Sequence, residues 1–326
     1  KICTPMIDGA ELLKIDQVPT RGQHDRQIPA AARNEYTQAM FCNGNGGCYN
    51  FDPNDAMCPS WKATRERKHS PKGRASLVRE WLRLMSLQGV DVVAEGRKVR
   101  YGAFLSNFPE RVKNSWRKKR GEYDFNHEVH EAMMGCLACK SCVAQCPIKV
   151  NVPDFRSRFL EAYYSRYLRP VKDYMVGGLE YMIPFLARFP SIYNGTMNNG
   201  LVRSMFKRWV GMIDSPPICT NSLKQGMEER NVQFASAETL SAIAPDQRDR
   251  SVIIVQDAFT SYFETQLVLD VVELLQRTGF NVLIAPFKPN GKPLHVHGFK
   301  GAFNKAADAN TRMLQEFTSC GISMIG

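Results

Sequence analysis

Cys136-Leu-Ala-Cys139-Lys-Ser-Cys142-Val-Ala-Gln-Cys146-Pro147 is the stretch on which the reading of this chain turns. Cysteines at every third position let a short loop wrap three thiolates around one iron–sulfur centre. The fourth, set before proline, is directed to a second centre in two-cluster ferredoxins. Upstream lies Cys42-Asn-Gly-Asn-Gly-Gly-Cys48, with Cys58-Pro59 ten residues on. It reads as a diverged copy of the same motif, with Asn45 where the middle cysteine would stand. The crosswise rule then yields two sites. Site one is Cys136, Cys139, Cys142 and Cys58, a set of thiolates suited to [4Fe–4S]. Site two is Cys42, Cys48 and Cys146, which suits [3Fe–4S], a [4Fe–4S] cluster with a labile or non-cysteine corner, or no cluster. Zinc is the competing reading of a four-thiolate set, but it typically takes its thiolates as two separated Cys-x-x-Cys knuckles. Cys3, Cys219 and Cys320 have no neighbours at ligand spacing and read as buried thiols or surface bystanders.

Outward from these loops, residues 1–35 are polar and without period, and read as an arm or linker. From 36 to about 214 the pattern is helical. Ser76–Met85 places Leu77, Trp81, Leu84 and Met85 on one face, and Asp154–Leu168 does the same with Phe155, Phe159, Ala162 and Tyr163. After Pro216-Pro217 the pattern changes. Apolar runs at 251–256, 281–285 and 322–325 alternate with helical segments at about 262–277 and 301–318, the signature of a parallel α/β sheet. The expected class is α + α/β: an α-helical ferredoxin-like domain over 36–214, then an incomplete doubly wound parallel α/β domain over 215–326. The first residue is Lys1 and the last strand has nothing to complete it, so a piece of a longer polypeptide is expected.

The 326 residues, 44% hydrophobic, are enough for a sizeable core. Of the ten cysteines, seven sit in the two clusters, which points to metal ligation in a reducing compartment, the cytoplasm, rather than to disulfides. The most apolar stretch, Tyr174 to Tyr193, is broken by Glu180, Arg188 and two prolines, so no membrane span is expected. The net charge is +11, and residues 61–120 alone hold 17 Lys/Arg against 5 Asp/Glu. Such a segment can face nucleic acid, an anionic membrane, an acidic domain or plain solvent. Few aromatics are interleaved for base stacking, so no nucleic-acid partner is expected. His295-Val-His297 alternates as a strand would but lacks a third ligand. Asn43–Gly47 is not placed between a strand and a helix and fails as a dinucleotide loop. No nucleophile or acid/base pair is legible.

Three further stretches complete the pattern: Met57-Cys-Pro-Ser-Trp-Lys-Ala-Thr-Arg65, His69-Ser-Pro-Lys-Gly-Arg-Ala75 running into Arg-Glu-Trp-Leu-Arg, and Arg21-Gly-Gln-His-Asp-Arg-Gln-Ile-Pro29. With the cysteine runs, they resemble the C-terminal iron–sulfur region of bacterial FAD-linked D-2-hydroxyacid dehydrogenases, of the D-2-hydroxyglutarate type. The resemblance implies an FAD domain upstream in the same polypeptide. That flavin would oxidise the hydroxyacid and pass electrons singly through the iron–sulfur region to an external acceptor. It also admits a homo-oligomer and a cytoplasmic protein with a peripheral seat on the inner membrane. The alternative is a separate iron–sulfur subunit of a glycolate or glycerol-3-phosphate oxidising complex. The final domain is similar to the cysteine-rich domain of heterodisulfide reductase and glycolate oxidase iron–sulfur subunits. Where those carry Cys-Cys-Gly before Arg-Pro-Leu, this chain has Pro289-Asn-Gly-Lys-Pro-Leu294, so no metal is expected there.

Overall fold

Ser70 starts the helix around which the first half of the chain is built: its hydroxyl accepts the Gly73 N–H at 2.9 Å, and Pro71 follows in the first turn. The helix runs Pro71–Leu87 and buries Ala75, Val78, Trp81, Leu82 and Met85, a stripe spaced by three and four. Of the expected face, Trp81 and Met85 are buried. Leu77 and Leu84 are half-buried flanks, because the stripe is centred on Val78 and Leu82. Trp81 meets Tyr36 and Phe159 edge-on, at ring distances of 5.7 and 4.9 Å. Its indole N–H donates to Asn126 Oδ1 at 2.7 Å, so a large apolar side chain is buried with its polar atom satisfied. The helix Val152–Arg166 buries Phe155, Phe159, Ala162 and Tyr163 as its pattern predicts, and much of its other face too, as a core helix does.

The computed structural model describes residues 21–100, 107–211 and 215–326. Residues 1–20, with Cys3, lie outside the described part. Within the expected arm, residues 21–35 form the helices Arg21–Asp25 and Ala30–Glu35, and Ile28 and Ala32 are buried in the core with Trp81. Helices of five and six residues complete too few turns to show a period in the sequence. Asp25 binds them in place through an ion pair to Arg79 of the Pro71–Leu87 helix.

By its contacts the chain divides into two compact units, Lys1–Leu168 and Arg169–Gly326. Residues 169–211 are largely helical, as expected, but group with the second unit, where Ile183 packs with Ile218, Ala258 and Phe263. The second unit holds four parallel strands, β1 (Gln233–Phe234), β2 (Ser251–Ile254), β3 (Asn281–Ile284) and β4 (Ser323–Ile325), in the order β1-β3-β2-β4. The last three are the expected runs, each trimmed. β1 has two exposed residues and no readable pattern.

Side-chain alternation assigns the two faces of the sheet. Val252, Ile254, Val282 and Ile284 pack with Val268, Leu269 and Val272 of the helix Thr265–Arg277. Ile253 and Leu283, between them, pack with Met313 and Phe317 of the helix Lys300–Ser319. Helices on both faces make this small sheet doubly wound. His295-Val-His297 is not a strand: Gly291 at φ 77° and Pro293 in the first turn start a helix, Lys292–Val296, and His297 Nδ1 stands 3.2 Å from Asp173 Oδ1. Among the described residues no helix is long and apolar enough to cross a membrane.

Candidate metal centre

Pro147 decides where Cys146 points. A residue before proline is driven out of the helical region. Cys146 ends the short helix Ser141–Gln145 with extended angles, φ −77° and ψ 127°. Cys142, one turn earlier, stays on the other side. The two therefore line different cavities. Cys142 joins Cys136, Cys139 and, from far upstream, Cys58 around one. Cys146 joins Cys42 and Cys48 around another, together with Asn45. The groupings are those of the crosswise rule.

At site one the loop takes left-handed backbone at Ala138 (φ 53°) and Lys140 (φ 62°), and Cys58 is left-handed too (φ 37°). Strained angles on residues with a Cβ persist where the surroundings demand them. Here they curl the loop so that the Ala138 N–H faces Cys136 Sγ at 3.4 Å. Burial pushes the Cys142 thiol up to about 11 and raises that of Cys58, in both cases as the largest effect. Helix starts oppose it: backbone N–H groups of Trp61, Val152 and Lys72, each in the first turn of its helix, are aimed at Cys58, Cys142 and Cys48. Oriented amides at a helix start favour negative charge, which is what a metal-bound thiolate carries.

Site two is built on glycine. Gly44 and Gly46 are left-handed, at φ 75° and 81°, and between them Asn45 uses its side-chain oxygen to accept the Gly47 N–H at 2.9 Å. Asn45 is thus both a turn residue and a wall of the cavity. Lys72 closes one side by donating to Gly44 O at 2.8 Å, and Arg79 holds Cys42 by donating to its carbonyl at 2.9 Å. Pro71, at the start of the long helix, lines both cavities. Among the described residues, no group of three or more His, Cys, Asp or Glu is drawn together on a single ion's position.

Three cations line these cavities, Lys72 at site two and Arg74 and Lys140 at site one, and the roles of Lys72 and Arg74 escaped the reading of the sequence. Lys72 and Arg74 belong to the basic segment, where net charge hid individual roles. Elsewhere in that segment Arg79 pairs with Asp25, Arg83 with Glu80, and Lys68 with Glu66 and Glu131. In the second unit the Cys219 thiol donates to Phe263 O at 2.9 Å and Cys320 to Glu316 O at 3.4 Å. The Pro289-Asn-Gly291 loop is held by Glu180, whose buried carboxylate accepts the Gly291 N–H at 2.8 Å.

Comparison with known proteins meets this geometry from outside. Over its whole length the chain is similar to D-2-hydroxyglutarate dehydrogenases. It is 51% identical to the D-2-hydroxyglutarate dehydrogenase of Pseudomonas putida, 46% to that of Escherichia coli and 44% to that of Pantoea ananatis. In each case the match takes in all of this chain but 32% of the relative, so the chain spans about a third of the length of these D-2-hydroxyglutarate dehydrogenases. No protein-family model and no solved structure matches it.

Proposed function

We propose that this chain is the iron–sulfur electron-transfer portion of an FAD-linked D-2-hydroxyacid dehydrogenase acting on D-2-hydroxyglutarate, relaying electrons from a flavin elsewhere in the polypeptide to an external acceptor. The observation that carries the reading is the meeting of Cys58 with Cys136, Cys139 and Cys142 around one cavity. Cys58 is far from the other three in sequence, and together they satisfy the ligand rule of a ferredoxin-type site. The donor set fits a [4Fe–4S] cluster: thiols only, ringed by helix-start amides. A ring of thiols spread around a cavity suits a cluster, whose ligands attach to several metal atoms, better than one tetrahedral ion.

When bound, such a cluster supplies one-electron exchange with little rearrangement. The chain's own part is to hold and shield. Cys58 and Cys142 are nearly inaccessible to water, and Trp61 and Val152 direct N–H groups at their sulfurs. Cys139 is exposed, which leaves one edge of the site near the surface, where electrons can enter or leave. Site two offers Cys42, Cys48 and Cys146 for a second cluster, [3Fe–4S] or a labile [4Fe–4S]. One polypeptide rather than a separate subunit is favoured because the D-2-hydroxyglutarate dehydrogenase relatives carry the matching third within a longer chain.

The test is anaerobic purification followed by iron and sulfide analysis and electron paramagnetic resonance of oxidised and dithionite-reduced protein. Wild type is expected to show a [4Fe–4S] signal that Cys139→Ser abolishes or severely weakens. Full iron and sulfide content in Cys139→Ser would remove that cysteine from site one, and stoichiometric zinc without sulfide in wild type would overturn the reading.

A further inference from the structure

Arg74 is 1% exposed, among the most buried of the large side chains. Its Nε donates to Ala132 O at 2.8 Å, Nη2 to Ser60 Oγ at 2.9 Å, and Nη1 to His69 O while lying 3.8 Å from Cys58 Sγ. None of these partners carries a charge, and among the described residues no carboxylate pairs with this guanidinium. Its neighbours on the same helix behave differently, since Arg79 and Arg83 each hold an acid. A guanidinium buried without a counter-charge is held at a cost to the fold. Such a group persists where an anion stands beside it in the working state. The polypeptide around it supplies none: the oxygens that Arg74 reaches are the Ser60 hydroxyl and the carbonyls of His69 and Ala132. What remains is the ring of cysteines that Arg74 helps to line, once they are thiolates bound to metal.

We infer that Arg74 is the built-in counter-cation of a thiolate-bound iron–sulfur cluster at site one, stabilising its more negative, reduced state and so raising its reduction potential. This rests on the cluster reading above. Arg74 is a positioning and tuning residue, not a ligand. The start of its own helix points the same way: Pro71 lines the cavity beside it, adding the positive end of a seventeen-residue helix to the guanidinium. Gly135, just before Cys136, leaves room for the His69 ring and the guanidinium, since a Cβ there would stand 3.2 Å from His69 Cδ2 and 3.3 Å from Arg74 Nη2.

The experiment compares wild type, Arg74→Gln and Arg74→Lys in the full chain, reconstituted anaerobically with iron and sulfide and titrated redox-potentiometrically with resonance detection. Arg74→Gln keeps polar contacts and removes the charge. Its cluster should be harder to reduce by tenfold or more in the equilibrium constant, a shift of about −59 mV or beyond for one electron. Arg74→Lys keeps the charge and breaks the fork of hydrogen bonds, and its potential should stay near wild type. An unchanged potential in Arg74→Gln overturns the inference while leaving the cluster in place. If Arg74→Gln accumulates no folded protein, Arg74→Lys decides: a wild-type-like potential supports the charge role, and cluster loss or a shift as large as that expected for Arg74→Gln overturns it. Wild type that takes up no cluster removes the functional reading itself, a result distinct from either.

Discussion

Asn45 shows how much one side chain settles at a cysteine loop. Its oxygen closes a turn onto Gly47 N–H, yet it stands in the wall that Cys42, Cys48 and Cys146 share. Asn45→Cys therefore sets two effects against each other. Losing the turn bond costs about 0.5–1.5 kcal/mol, while a fourth thiolate offers a corner to site two. If site two accepts a cluster, Asn45→Cys should raise iron per chain above wild type and add a [4Fe–4S] signal. Equal iron and an unchanged one-cluster spectrum in both proteins would mean that site two is vestigial.

Cys142 carries a pH signature at the same scale. Its thiol is raised from an ordinary 9.0 to about 11, first by burial and then by neighbouring thiols. For an acid raised in the fold, the folded chain keeps a proton that the unfolded chain has released, so its contribution is whole below pH 9 and is lost as pH climbs toward 11. Two units correspond to about 2–3 kcal/mol. Urea titrations of metal-free protein at pH 8 and 10.5 should show this loss, and Cys142→Ala should show a smaller one. Parallel losses in both proteins would assign the effect to other groups.

At the scale of elements, the junction between the 3-10 turn Arg67–His69 and the Pro71–Leu87 helix positions both sites at once. Gly73 makes it possible: a Cβ there would lie 1.9 Å from Arg67 O and 3.0 Å from Lys68 Cα, both backbone atoms. Helix propensity alone predicts that Gly73→Ala stabilises by about 1 kcal/mol. The clash is with backbone that cannot swing aside, and overpacking of this kind typically costs about 1–3 kcal/mol. Gly73→Ala should therefore destabilise the protein and lower cluster occupancy, measured as a reduced urea midpoint and reduced iron. A raised midpoint would show that the turn gives way freely.

At the scale of the whole molecule, the seven clustered cysteines all lie in the unit Lys1–Leu168, whereas Arg169–Gly326 has two thiols, each spent on a backbone carbonyl. Residues 169–326 contain their own sheet with a core on each face, so they are expected to fold when expressed alone and to bind no stoichiometric iron or zinc. Metal bound at one equivalent or more would place a site in the second unit.

The sequence by itself determined the spacing of the cysteines and the turn at Cys146, because the conformational bias of a residue before proline is local: Cys146 leaves the helical region at the end of one short helix, while the fold brings Cys58, Cys42 and Cys48 to the two cavities. It also determined the stripe of the Val152–Arg166 helix, half of the one on Pro71–Leu87, and three of four strands, since their apolar periods run for several residues. It did not determine the helices at 21–35 or β1, which are too short to carry a period and are held by Asp25–Arg79 and by pairing with β3. Only the tertiary structure decided what the basic segment does. Net charge is a sum, and whether a given cation faces solvent, an acid or a ring of cysteines depends on burial. Arg74 and Arg79 lie five residues apart on one helix. Folding gives Arg79 a carboxylate, and brings Arg74 to Cys58 with neutral partners alone.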